Sequence, residues 1–362
     1  AAVSISKIAQ RNTNVYYVAT KAGLGYTTAY HDTTVTGVAQ WQAPYGDFPI
    51  SGVGDDGGVT AVDIDPDDSL HIVVGFSGGF YYSTTGPSGF TLVTPTDWES
   101  GTHRDSYVTD VQFVTSDTLI AVTGTGSNVL PSLSFDYGNI WKSTDGGASW
   151  TKSHPIDGGY EFEQGNSVAV SYTNVDTVIY IGCGYWDSNF PKVDGQLWKS
   201  TDFGVTWSYV NSGPVSQMSG STVTDMPIYD LDIYPGTDDT LYFAAGQNLD
   251  FAFAKSVDGG VTYTYINVNN YGGAFSSVMV HPNDPDIVSV AARRKLWRYN
   301  SVLNSSTLVF EGLPGEFIPN LEYGSTLMGT SMGLYKLSET AGSITTMWRG
   351  QGNWSDAEKW SN

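Results

Sequence analysis

Four aspartates are the residues best placed to do chemistry. Asp63, Asp110, Asp230 and Asp232 all sit in short runs of alternating apolar and β-branched residues. Two carboxylates across a cleft are what acid/base cleavage of a glycosidic bond requires. That chemistry also needs unlike environments, so that one acid holds its proton while the other is ionised. Here Asp110 aligns with Asp230, and Asp63 with Asp232. Recurrence at matching positions favours a repeated hydrogen-bonding role, or solvation of a channel mouth, over catalysis. The run Asp63-x-Asp65-x-Asp67, with Asp55-Asp56 upstream, has the opening spacing of an oxygen-ligand Ca²⁺ loop. Asp68 occupies the sixth position, where Gly is required, and no Glu follows at the twelfth. Acidic turn residues are the better reading, and no metal is expected.

The other chemical signals are weaker. The five histidines, His31, His71, His103, His154 and His281, show no zinc spacing. Gly124-x-Gly126 lacks a third glycine and a following helix, and no Walker or Gly-x-Ser-x-Gly motif is present. No cofactor is expected. The single cysteine, Cys183, lies between two glycines and reads as a small buried filler. Carbohydrate or protein recognition has more support. Loop-like stretches from 45 to 50, from 96 to 104 and from 184 to 190 carry aromatic rings beside Asp, Asn and Glu. Trp98, Tyr185, Trp186 and Phe190 are the candidate contacts, and packing beneath their own loops is the competing role for each.

The elements that must position these residues are strands. Period-2 alternation, bounded by Gly, Asp, Asn and Pro, recurs along the whole chain, and no segment carries a useful helical period. Inner-strand candidates open at Ile5, Val59, Val108, Val168, Ile228, Ser276 and Ile318, with an outer strand of the first unit near Trp41. One hairpin signature comes back. Ser143, Asp145, Gly147 and Trp150 are matched by Ser200, Asp202, Gly204 and Trp207, and by Ser256, Asp258, Gly260 and Tyr263. The aspartates lie 57 and 56 residues apart. A worn copy runs from Ser83 to Phe90, with Thr85 in place of Asp. In each copy Asp accepts backbone N–H bonds, glycine supplies positive φ, and the closing aromatic returns to the core.

These residues resemble the Asp box, or BNR repeat, of sialidase-like β-propellers. The resemblance implies a propeller with the box between the third and fourth strands of a blade. The expected fold is therefore all-β, a seven-bladed β-propeller of four-stranded antiparallel blades over residues 1–347. It does not imply sialidase activity, because the box is structural in that superfamily. Sialidases also carry an arginine clamp and an Arg-Ile-Pro type motif. The six arginines here, Arg11, Arg104, Arg293, Arg294, Arg298 and Arg349, supply neither. Xyloglucanase-type glycoside hydrolases use two such propellers with a catalytic Asp from each, and one propeller would supply half of that arrangement.

Residues 348–362 form a Trp-rich tail. With Met347 before it, the tail resembles the W-x-G-x-G-x-W-x(5)-W opening of β-rich modules in large exported bacterial surface proteins; a closing strand plus tail is the alternative. The sequons at Asn304 and Asn353 carry information only in a eukaryotic secretory host. A formal charge of −21 argues against nucleic acid or an anionic membrane surface as partner, and no stretch is apolar enough for membrane insertion. The sequence reading is a secreted or cell-surface, non-catalytic binding or scaffold module with a glycan or protein ligand, and other domains of a longer chain are the further partners expected. The alternatives are a glycoside hydrolase using Asp63, Asp110, Asp230 or Asp232, and a purely architectural spacer.

Overall fold

The computed structural model describes residues 5–11, 15–20, 23–27, 58–98, 105, 107–124, 138–153, 162–172, 177–184, 195–247, 250–268, 274–281, 284–292, 294–311, 320–322, 327–330, 333–338 and 343–348. Every strand or helix assigned among them is a β-strand. The first sheet holds β1 (Ile5–Arg11), β2 (Val15–Thr20) and β3 (Gly23–Thr27). The expected outer strand near Trp41 lies outside the described residues. The second sheet holds β4 (Val59–Ile64), β5 (Ile72–Phe76), β6 (Gly79–Ser83) and β7 (Thr91–Val93). The third holds β8 (Tyr107–Phe113), β9 (Leu119–Gly124), β10 (Ile140–Ser143) and β11 (Thr151–Lys152). The fourth holds β12 (Gly165–Tyr172), β13 (Thr177–Cys183), β14 (Gln196–Ser200) and β15 (Ser208–Ser212). The fifth holds β16 (Ile228–Ile233), β17 (Leu241–Gln247), β18 (Asp250–Ser256) and β19 (Thr264–Tyr265). The sixth holds β20 (Phe275–Val280), β21 (Ile287–Ala292), β22 (Lys295–Asn300) and β23 (Ser305–Glu311). The last holds β24 (Asn320–Glu322), β25 (Leu327–Thr330), β26 (Gly333–Ser338) and β27 (Ser343–Trp348). Trp348 pairs with Leu334 and so belongs to a strand; the rest of the tail lies outside the described residues.

Within each sheet the strands are consecutive in sequence and antiparallel. The first strand of each sheet packs on the first strand of the next, from β1 through β4, β8, β12, β16 and β20 to β24, and β24 returns to β1. Seen along the axis, the inner strands form a closed circle from which the sheets radiate. The sequence dictates this: a strand such as Val59–Ile64 is apolar on both faces, because each sheet is covered by a neighbour on either side.

The core lies between sheets. Val62, Ile64, Ile72 and Val74 of the second sheet meet Tyr17 and Ala19 of the first. Trp141, Trp198 and Trp297, each on the third strand of its sheet, are fully buried. Burying one such ring removes roughly 200 Å² from water, an upper estimate of about 5 kcal/mol each.

The inner strands share a feature that the sequence pattern hides. In the first six sheets the inner strand carries a register shift at one position, between Ile5 and Lys7, Val59 and Ala61, Val108 and Asp110, Gly165 and Ser167, Ile228 and Asp230, and Phe275 and Ser277. A bulge leaves one residue unpaired and sharpens the local twist. At Thr60 and Thr109 the bulged side chain bonds a carbonyl of the second strand, Gly75 and Val122, and at Asn166 it bonds that of Gly184, just past the end of β13.

The repeated hairpin joins the third and fourth strands. In the third sheet Ser143 Oγ donates to Asp145 Oδ1 (2.9 Å) and accepts from Gly147 N–H (2.9 Å). Asp145 accepts from Ser149 N–H (2.8 Å) and Ser149 Oγ (2.6 Å). The fourth and fifth sheets repeat these bonds at Ser200, Asp202, Gly204 and Thr206, and at Ser256, Asp258, Gly260 and Thr262. In the worn copy Ser83 Oγ and Thr85 Oγ1 both donate to the Ser88 carbonyl, so the turn is tied by hydroxyl donors where the good copies use a carboxylate acceptor.

The residue after Asp is left-handed in all three good copies: Gly146 at φ 69°, Gly259 at φ 70° and Phe203 at φ 59°. A side chain strains that conformation by about 1 kcal/mol. Phe203 is also 43% exposed, so little packing offsets the strain. Phe203→Gly is expected to raise the unfolding free energy by about 1 kcal/mol in urea denaturation. A fall instead would show that the ring's contacts outweigh the strain.

Candidate functional site at the ring axis

The four aspartates all lie on inner strands, and each reaches across to the next sheet. Asp63 Oδ2 accepts from Phe113 N–H (2.8 Å), and Asp110 Oδ2 from Val168 N–H (2.9 Å). Asp230 Oδ2 accepts from Val278 N–H (2.9 Å), and Asp232 Oδ2 from Val280 N–H (2.7 Å). The alignment seen in the sequence reappears in space. Asp110 and Asp230 each follow a bulge and bond the residue two after the next bulge. Asp63 and Asp232 each bond the last residue of the next inner strand. The second oxygen is engaged as well: Asp110, Asp230 and Asp232 cap the N–H of their own successors, Val111, Leu231 and Ile233. Asp230 further accepts from Ser167 Oγ (2.9 Å) and Ser277 Oγ (2.8 Å). Side chains at these positions stitch neighbouring sheets together.

The charges around the axis are not equivalent. Lys7 Nζ, from β1, lies 2.9 Å from Asp110 Oδ1. Burial pushes the Asp232 carboxyl up to about 7, against the pull of the Val280 and Ile233 N–H groups, and nearby Asp230 adds repulsion. Burial also raises Asp230, although Lys7, the Val278 N–H and two serines favour its charge. A carboxyl raised in the folded state contributes stability that is complete below the ordinary carboxylate range and lost as pH rises through about 7. Wild-type protein is therefore expected to lose stability relative to Asp232→Asn between about pH 4 and 7, with the difference flat above that window. Urea denaturation across that range checks this, and a pH-independent difference would contradict it.

The Asp63 carboxylate turns to Phe113 N–H, while Asp65 and Asp67 both accept from Ser116 Oγ. Asp65 Oδ2 takes His71 Nδ1 (2.9 Å), while Asp65 Oδ1 takes Asp67 N–H (2.8 Å) and Ser116 Oγ (2.9 Å). Burial pushes the Asp65 carboxyl up, but these bonds outweigh it and hold it below the ordinary carboxylate range. Among the described residues no three His, Cys, Asp or Glu side chains converge to hold a metal ion. His71 Nε2 lies 2.7 Å from the Gly146 carbonyl, linking the second sheet's turn to the third sheet's hairpin.

Of the candidate aromatic contacts, Trp98 is half-buried. Its ring lies 5.8 Å from Phe80 and 5.4 Å from Trp141, against the core between the second and third sheets. Tyr185, Trp186 and Phe190 lie outside the described residues. Cys183 is fully buried, and burial, with the Glu163 charge, holds its thiol well above the usual range. Sequence reasoning missed Asp105. This buried carboxylate accepts from Thr123 Oγ1, Asn139 Nδ2 and Trp141 Nε1, each at 2.9 Å, with Lys152 Nζ at 3.6 Å. It stands alone in a loop-like stretch, with no periodicity to mark it.

No family model matches the chain, and no curated protein does. Solved structures do. YCF48 bound to D1 peptide superposes with a TM-score of 0.57 at 11% identity, covering 92% of this chain and 90% of that one. The GH74 xyloglucanase from Xanthomonas campestris gives 0.57 at 13% identity, covering 99% of this chain and 53% of that one. The extracellular domain of BT4673 from B. thetaiotaomicron gives 0.60 at 12% identity, covering 92% and 38%. The chain is a β-propeller. At these identities the likeness shows the fold alone. The propeller spans about half of the xyloglucanase and less than half of the BT4673 domain, but nine-tenths of YCF48. Among its described residues no helix is long and apolar enough to cross a membrane.

Proposed function

We propose that this chain is a seven-bladed Asp-box propeller, exported or displayed at a cell surface, that acts as a non-catalytic binding or scaffold module. Its ligand is a glycan or a protein segment, met by the connections between strands. The observation that carries this reading is the engagement of the axial carboxylates. Asp110, Asp230 and Asp232 each accept bonds on both oxygens, from their own strand and from the next sheet. Acids so committed are poor candidates for protonating a substrate.

The layout supports recognition at one end of the ring. Tyr185, Trp186 and Phe190 fall between β13 and β14, and Trp98, whose ring packs toward the core, falls between β7 and β8. In an antiparallel four-stranded sheet these connections leave from the end where inner strands begin, opposite the Asp-box hairpins. A fold neighbour of matching length, YCF48, was solved with a peptide. Residues 348–362 extend the proposal to further domains of a longer chain.

The test is a glycan and peptide array with the purified protein, run beside a hydrolysis assay on every glycan that binds. Binding without turnover is the expected result. A second reading, glycoside hydrolysis, has one observation in its favour: Asp232 is raised to about 7 while Asp110 lies against Lys7, so the acids are unlike. Turnover abolished by Asp232→Asn, in a protein that still folds, would replace the first reading with the second.

A further inference from the structure

The connection from β15 to β16 is built as a small arm of its own. Met226 N–H donates to the Pro214 carbonyl and Ser216 N–H to the Val223 carbonyl, each at 3.0 Å, so residues 214–216 fold back on 223–226. Ser221 N–H closes the tip on the Met218 carbonyl (3.1 Å). At the base, Gly195 N–H donates to the Asp225 carbonyl and Gly213 N–H to the Gly195 carbonyl, each at 2.7 Å. Gln217 fastens the arm to the fifth sheet. Its N–H donates to the Phe251 carbonyl (2.8 Å), its Oε1 accepts from Phe253 N–H (2.8 Å), and its Nε2 donates to the Ile266 carbonyl (3.2 Å). The glutamine thereby covers the edge of β18 that the short β19, Thr264–Tyr265, does not reach.

Fixed in this way, the arm holds apolar side chains out in water. Val215 is 46% exposed, Met218 38% and Tyr265 39%. They are neighbours: Val215 N–H donates to Tyr265 Oη (2.9 Å), and Met218 follows the glutamine that bonds Ile266. Scattered apolar residues on a surface are ordinary, but a group of them on a rigid support marks a contact surface. The charge around this group has one sign. No lysine, arginine or histidine occurs between Lys199 and Lys255, and no residue from Ser208 to Thr224 is charged. Among the described residues, the acids at the arm are Asp225 at its base and Asp250, whose Oδ1 accepts from Ser216 Oγ (2.6 Å). An apolar surface edged by carboxylates, on a chain of formal charge −21, repels a second copy and attracts a cation.

We propose that this arm is a peptide-docking surface, and that its partner is an extended segment carrying an apolar side chain beside lysine or arginine. The apolar side chain seats against Val215, Met218 and Tyr265, and the cation meets Asp225 or Asp250. The inference rests on the reading that connections at this end of the ring meet the ligand, and it narrows that ligand to a basic, apolar peptide. Because the arm is ordered by its own hydrogen bonds before the partner arrives, binding costs it little conformational freedom.

The probe is an array of synthetic extended peptides in which Leu, Val or Phe alternates with Lys, Arg, Glu or Ser, with affinities then measured by fluorescence anisotropy on the intact chain. Peptides pairing an apolar residue with Lys or Arg are expected to bind, and their Glu counterparts to bind about tenfold more weakly. Val215→Ser/Met218→Ser is expected to weaken the basic peptides about tenfold, while Leu303→Ser, on a hairpin at the opposite end, changes affinity less than about twofold. Asp225→Asn/Asp250→Asn is expected to weaken them about threefold and to reduce the effect of salt. Unchanged urea midpoints show that each variant is folded; if the double serine variant is not, Met218→Ser alone carries the comparison. Preference for acidic peptides would overturn the proposal. So would peptide binding indifferent to the serine variants, or glycan binding alone, although either would leave the binding module standing with its ligand met elsewhere. No binding of any peptide or glycan would remove both. Dimerisation abolished by Val215→Ser/Met218→Ser would give the surface to a second copy instead.

Discussion

Replacing Asp230 with alanine is expected to destabilise the fold by about 3 kcal/mol or more, the largest effect of any axial substitution. The side chain holds Val278 N–H, Leu231 N–H, Ser277 Oγ and Ser167 Oγ, and so joins the fourth, fifth and sixth sheets at one point. Truncation leaves Val278 N–H, on a buried residue, without this acceptor, and an unsatisfied buried donor alone costs about 1–3 kcal/mol. Asp230→Asn keeps the shape and one acceptor oxygen and is expected to cost roughly half as much. Burial already disfavours the ionised form here, so loss of charge is not the main penalty. Equilibrium denaturation in urea separates the cases. Equal losses for alanine and asparagine would mean that the charge, rather than the bonding capacity, holds the sheets.

The second large effect is expected at Gly204. Its φ of 74° lies in the left-handed region, and a Cβ there would run into the Ile120 side chain of the neighbouring sheet and sit 3.3 Å from Trp207. The hairpin cannot retreat. Ser153 Oγ donates to the Gly204 carbonyl (2.6 Å) and accepts from Trp207 Nε1 (3.0 Å), which pins the turn to the residue just past the outer strand of the third sheet. Gly204→Ala combines backbone strain of about 1 kcal/mol with overpacking of about 1–3 kcal/mol. A loss of about 3 kcal/mol in the same assay is expected. A change below 1 kcal/mol would show that Ile120 and the turn can move apart at little cost.

Much of this fold was legible in the residues. The Ser-x-Asp-x-Gly-x-Thr-Trp spacing is local chemistry: every bond that Asp202 makes within the hairpin spans at most four residues, so the hairpin can be read from a short window. The strands were readable for a similar reason, because packing between two neighbours forces apolar residues onto both faces. The axial aspartates were readable as a repeating set, and their recurrence pointed to the stitching role that the hydrogen bonds display. What stayed hidden was non-local. Lys7 and Asp110 are separated by a whole sheet, and only the ring geometry brings them within 2.9 Å. The bulges at Thr60, Thr109 and Asn166 leave no mark in composition, since a bulge is a fact about pairing. Trp98 carried an aromatic signal equally suited to stacking on a ligand or on Trp141, and the sequence could not weigh one surface against the other.

Among the described residues every sheet comes from one uninterrupted stretch of chain, which has a consequence for how such a molecule can be altered in its gene. In-frame duplication or deletion between two sheets moves a whole sheet and breaks none of its internal hydrogen bonds. The axial aspartates travel with it, each finding a backbone donor on whichever inner strand follows. Joining the two ends and reopening the chain between other sheets should likewise leave each hydrogen-bonded unit intact. Lys7 is tied to Asp110, two sheets further round the circle, so a rearrangement that changes the number of sheets between them would be selected together with a new partner for that lysine.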